Sequence, residues 1–140
     1  MAMLRVLFGI SDTQECRSGV DAAIRLFSRI KDVHFTLVHV SPEVLIYPES
    51  GIMNYSQTEV VANEQSSKLI EEFTQLFTQQ QIACEAVLKM GNPVDVVLEM
   101  APGFDLLVIG ASESSMFYKL FGSHQNSFID NSPIPVLVAK

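Results

Sequence analysis

Cysteine is scarce in this chain, and the two present, Cys16 and Cys84, stand far apart with no CxxC pair. That spacing argues against a disulfide scaffold and gives no sign of a zinc site, so two reduced structural thiols are expected. Positive charge is also short. Nine Lys and Arg face sixteen Asp and Glu, for a net charge of -7. No basic cluster offsets that balance, so the chain should repel nucleic acid and anionic membrane, and neither is expected as a partner. Long apolar runs are missing as well. No stretch reaches the ~20 apolar residues needed to span a bilayer. The opening Met1 to Ile10 is apolar but short, holds one basic residue, Arg5, and is followed by no small-residue cleavage site. It reads as a first strand, and a cytoplasmic protein is expected. Repeats, low-complexity tracts and linkers are absent too. The 140 residues are therefore expected to form a single domain, 1–140, around one core.

What is present is apolar and regularly spaced. The chain is 48% hydrophobic and 18% charged, with positive mean hydropathy, which suits a sheet covered on both faces. Leu4 to Ile10 is a nearly continuous apolar run, then Ser11-Asp12-Thr13 supplies turn and helix-capping side chains. Val20, Ala23, Ile24, Phe27 and Ile30 recur at helical spacing, predicting a first helix that ends near Ile30. Val33 to Val40 reads as the second strand. Glu43 to about Gln57 has no clear period and reads as a functional flap or a mobile connection. Val60, Val61, Leu69, Ile70, Phe73, Leu76 and Phe77 line one stripe of a long helix. Ile82 to Met90 is a third strand, closed by Gly91-Asn92-Pro93, with Pro93 suited to a helix first turn. Val94, Val97 and Met100 face inward along that helix, which Pro102-Gly103 stops. Asp105 to Gly110 is the strongest buried-strand signal. A last helix from Gly122-Ser123 carries Phe128 and Ile129, and Ile134 to Ala139 is the final strand. Strict alternation of strand and helix demands crossovers. Right-handed crossovers give an α/β fold, an open doubly wound five-stranded parallel sheet with helices on both faces. Ligands of such sheets sit beyond the strand carboxyl ends where the winding reverses. The loops after strands one and four, Ser11-Asp12-Thr13 and Gly110 onward, are therefore the candidate site.

In its order of pieces the chain resembles the universal stress protein family, UspA-like, over essentially its whole length. The resemblance is carried by Asp105-Leu106-Leu107-Val108-Ile109-Gly110, by Gly122-Ser123, and by Ser132-Pro133-Ile134-Pro135-Val136-Leu137-Val138. Leu37-Val38-His39-Val40 and Gly91-Asn92-Pro93 resemble the family's second strand and its Gly-x-Pro turn. The resemblance implies an adenine nucleotide α-hydrolase-like sheet of order 3-2-1-4-5. It also implies a homodimer formed by pairing the last strands, with Ile134, Val136, Leu137 and Val138 as candidate interface residues. The family includes ATP-binding members and members that bind no nucleotide.

ATP-binding members carry Gly-x-x-Gly, nine residues, then Gly-Ser or Gly-Thr. Glycines let main-chain N–H groups approach phosphate oxygens, and the following helix N-terminus adds a favourable dipole. Gly110, Gly122 and Ser123 match this pattern, but Glu113 stands at the second glycine and the loop is one residue shorter. A carboxylate about 4 Å from a phosphate charge costs about 4 kcal/mol at an effective dielectric near 20. Lys119 offers one offsetting cation, and Mg²⁺ is another bridge. Ser11 stands where the ATP-binding relatives have Asp, with Asp12 just beyond. Val38 keeps the apolar character suited to an adenine. Glycine after a strand and a Gly-Ser cap also occur in α/β proteins without ligand. The expectation is an eroded nucleotide site with weak or no ATP binding. The alternative is an ATP/AMP-binding switch that uses the Gly110 to Ser123 loop, with Ser11, Asp12 and Val38 beside it.

No catalytic group or metal set emerges. His34, His39 and His124 are scattered, with no Cys or acidic partner at metal-ligand spacing, although His39 lies near the end of strand two. Ser112, Ser114 and Ser115 lack a Gly-x-Ser-x-Gly elbow and read as turn serines. Leu88-Lys89-Met90 lacks a receiver-domain Asp, and Ile10-Ser11-Asp12 lacks the Ser-Gly-Gly of a pyrophosphatase loop. Met116, Phe117, Tyr118, Leu120 and Phe121 form an apolar group that packs on the sheet or covers a partner or the cleft. A non-enzyme is expected. A weak nucleotide hydrolase, with Asp12 or His39 as base, stays open behind the switch. No cofactor is required, and ATP or AMP with Mg belongs to the alternative. Protein partners beyond a second copy are unknown.

Overall fold

In a computed structural model, residues 3–41, 55–111 and 124–140 are described. Strand β1 (Leu4–Gly9) leads to helix α1 (Gln14–Phe27), β2 (Val33–Ser41), α2 (Tyr55–Gln79), β3 (Ala83–Met90), α3 (Pro93–Met100), a 3₁₀ turn (Ala101–Gly103), β4 (Leu106–Gly110), α4 (His124–Asn131) and β5 (Val136–Ala139). The strands form one five-stranded sheet of order β3-β2-β1-β4-β5, and every pairing is parallel. The alternation read from the sequence is thus the observed one.

The pleat sorts each apolar run into two cores. Val6, Phe8, Phe35, Leu37 and Val108 face α1 and α2, where Val20, Ala23, Phe73 and Phe77 meet them. Leu7, Val38, Val40, Leu107 and Ile109 face α3 and α4, closed by Val97 and Phe128. Phe35 anchors the larger core, with its ring 4.7 Å from Phe77 and edge-on to Phe27 at 5.1 Å. Such ring pairs add ~0.5–1.5 kcal/mol beyond the area they bury.

Element ends differ from the sequence reading where polar chemistry intervenes. Helix α1 stops at Phe27, not Ile30. The Ile30 amide bonds to the Phe27 carbonyl in a tight turn, and the Ile30 side chain is exposed. That turn points the chain into β2. Strand β5 begins at Val136, after Pro135, whose ring nitrogen has no hydrogen to donate. Ile129 on α4 is exposed, whereas Phe128 is buried. The predicted inward set of α3 holds as a gradient: Val97 is fully buried, and Val94 and Met100 are half-buried.

Candidate functional site

The chain winds from β1 outward through β2 to β3, then returns to lay β4 and β5 on the other side of β1. The reversal falls between β1 and β4. Two of the candidate segments meet there. Ser11 and Asp12 leave the end of β1, and Gly110 closes β4. Gly122 and Ser123 lie outside the described residues, as do Glu113, Lys119 and most of the Glu43–Gln57 segment.

The first loop is organised by the start of α1. Thr13 is the N-cap, with extended backbone, and its Oγ1 accepts from the Cys16 amide at 3.1 Å. The Ser11 hydroxyl and the Thr13 hydroxyl are 3.2 Å apart, and the Ser11 amide donates to Cys16 Sγ at 3.3 Å. The Ser11 groups therefore turn back into the loop. Both Ser11 and Asp12 are exposed, and the Asp12 side chain is 75% exposed. Its carboxylate accepts from Arg17 at 2.8 Å, and the same guanidinium nitrogen donates to Glu72 of α2 at 3.0 Å. Hydrogen bonds to Asp12 and then to Glu72 hold Arg17 above its ordinary pKa. The guanidinium carbon also lies 5.6 Å from the centre of the Phe73 ring. Two carboxylates share one cation here, so one negative charge is left uncompensated within the triad.

Gly110 has a packing reason of its own. A Cβ built there would stand 3.1 Å from the Cys16 Cα. Gly19 approaches the same place from α1, where a Cβ would meet the Ala139 carbonyl at 3.1 Å and the Gly110 Cα at 3.4 Å. Helix α1 thus lies flush on the ends of β4 and β5. Val38 pairs in register with Gly9, and its side chain is 1% exposed in the core beneath α3. Its carbonyl accepts from the Ile10 amide at 2.9 Å. His39, half-buried, places Nδ1 3.1 Å from the Ile10 carbonyl oxygen. Ser41 and Ser66 pair through their hydroxyls at 3.1 Å between β2 and α2. Among the described residues, no group of three His, Cys, Asp or Glu is arranged to hold a metal ion, and no helix is long and apolar enough to cross a membrane.

Arg17, Glu72 and Cys16 were not singled out as site residues from the sequence. Asp12 and Arg17 are close along the chain, but nothing in the sequence shows that α2 brings Glu72 alongside. Cys16 at least sits three residues after a capping Thr, which marks the first turn of a helix.

Sheet order and winding define a doubly wound α/β protein whose winding reverses between β1 and β4. A model of the universal stress protein family matches residues 3–140. A universal stress protein of Helicobacter pylori (strain ATCC 700392 / 26695) is 53% identical over 137 residues, covering 98% of this chain and 100% of its own length. The chain belongs to the universal stress protein family. Solved structures share its fold. A universal stress protein family protein from Arabidopsis thaliana with AMP bound has a TM-score of 0.72 at 19% identity, covering 98% of this chain and 91% of its own. A universal stress protein in complex with cAMP has a TM-score of 0.71 at 19% identity, covering 100% and 98%.

Proposed function

We propose that this single-domain chain is a cytoplasmic stress-response or signalling module. It acts as a homodimer through its last strand and keeps an eroded nucleotide site with weak or no ATP affinity. The observation that carries this reading is the state of the first loop. Ser11 is exposed, with its hydroxyl 3.2 Å from that of Thr13 and its amide donating to Cys16 Sγ, and the exposed Asp12 beside it is a carboxylate that shares Arg17 with Glu72. A triphosphate approaching from that side meets net negative charge, and the sequence has a carboxylate, Glu113, where the ATP-binding pattern has its second glycine. Such a module needs no cofactor and no catalytic group, and it works through its surface. Isothermal titration with Mg-ATP and with AMP is expected to give no saturable heat at micromolar concentration. A micromolar dissociation constant for either nucleotide would sink the reading.

The second reading is an ATP/AMP-binding switch, favoured by the solved relatives that hold AMP and cAMP. In it Gly110, Gly122 and Ser123 hold phosphate with Mg, Val38 contacts the base through its main chain, since its side chain is buried in the core, and the Glu43–Gln57 segment closes over the ligand. Denaturing the purified protein and identifying released small molecules by mass spectrometry separates the two, because co-purified adenine nucleotide supports the switch.

A further inference from the structure

The β1–β2 ladder ends at Gly9 and Val38, and the Ile10 amide still bonds to the Val38 carbonyl at 2.9 Å. A side chain then takes over from the backbone: His39 Nδ1 lies 3.1 Å from the Ile10 carbonyl oxygen. A carbonyl oxygen only accepts, so this contact is a hydrogen bond only if Nδ1 carries the hydrogen. In the neutral ring that leaves Nε2 as an acceptor. Ile10 is thus held to β2 by both of its main-chain polar groups, and the next residue is Ser11. We infer that His39 is a positioning residue of the candidate site, held as the Nδ1–H tautomer, whose bond to Ile10 sets where the Ser11-Asp12-Thr13 loop leaves the sheet. The inference goes beyond the proposed function, because it concerns how the loop is held whether or not a nucleotide binds.

The position of the histidine makes the role specific. Strand β2 runs on to Ser41 beside β3, with His39 opposite Leu88. The ring therefore rides on a strand held by its outer neighbour while it grips the residue at which β1 has stopped pairing. Ile10 itself is 4% exposed and belongs to the larger core, so an unpartnered carbonyl there would carry a desolvation cost. One ring supplies the missing donor and fixes the direction in which the chain departs.

The test uses the full chain without ligand. Long-range proton–nitrogen spectra at pH 8 assign the His39 ring by its loss in His39→Asn. The expected pattern is a protonated Nδ1 and a bare Nε2, and the opposite tautomer would overturn the inference. Asn places an amide nitrogen where Nδ1 stood, whereas Phe keeps the ring and removes the donor. His39→Phe should shift the Ser11, Asp12 and Thr13 amide signals and speed their hydrogen exchange. His39→Asn should restore wild-type positions and exchange. Wild-type loop signals in His39→Phe, or Asn behaving like Phe with circular dichroism unchanged, would each refute the role.

Discussion

Cys16 is the buried residue that ties the first loop to the start of α1. It is 2% exposed, its amide is taken by the capping Thr13, and its sulfur accepts the Ser11 amide. Burial raises its pKa above the ordinary value of 9.0, and the Ser11 hydrogen bonds pull the other way less strongly. A thiol whose folded value is raised stabilises the fold fully below the ordinary thiol range, and that contribution fades as pH rises through the folded value. Between about pH 8 and about pH 10 the wild type should therefore lose more stability than Cys16→Ala, which has no thiol to titrate. Urea midpoints across that range read the difference, and parallel losses in the two proteins would contradict it. Cys84 carries the same sign of shift, again from burial first, so the Cys16→Ala comparison is what isolates Cys16.

Helix α3 shows how much a short motif decides on its own. Asn92 has extended backbone, and its Oδ1 accepts from the Val94 and Asp95 amides at 3.0 and 3.1 Å, while Pro93 starts the helix. Gly91 before it has φ +134, a region that side chains avoid. Asn92→Ala removes both acceptor contacts and should cost about 1 kcal/mol in a urea titration. A change within error would mean that packing of Val97 alone holds the helix. Gly-Asn-Pro was legible because each residue is constrained by its own stereochemistry. The strands were legible for a related reason: Leu106 to Ile109 is apolar at every position, as a strand covered on both sides must be. The end of α1 was not legible from spacing, since Ile30 fits the helical period but lies past a turn closed by a main-chain bond to Phe27. The Arg17 bridge to Glu72 was hidden because its partners are far apart in sequence and meet only once α1 and α2 cover the same face of the sheet. The pattern alone makes Gly110 a candidate phosphate contact, and the close approach of Cys16 supplies a second reason for glycine that no linear pattern contains.

At the scale of the molecule, β5 pairs with β4 along one side, and no described residue pairs with its other side. An exposed strand edge is a place where another chain can add. The last strand is thus the natural surface for the proposed homodimer. Val136 is half-buried and packs against the α3–α4 core, whereas Leu137 packs against the opposite core. Val136→Lys should halve the mass seen by light scattering while circular dichroism keeps its wild-type shape. An unaltered mass with the fold intact would remove β5 from the interface.

The seam between Gly19 and Gly110 has its own consequence. Helix and sheet touch there almost main chain to main chain, with the Ala139 methyl the one side-chain atom close to the Gly19 contact. A single methyl group on either glycine would force its main-chain neighbour to give by a few tenths of an ångström. At Gly110 that strain falls on Cys16, in the first turn of α1, and so on its bonds to Thr13 and Ser11. The posture of the first loop is thus braced from beneath by two missing carbon atoms.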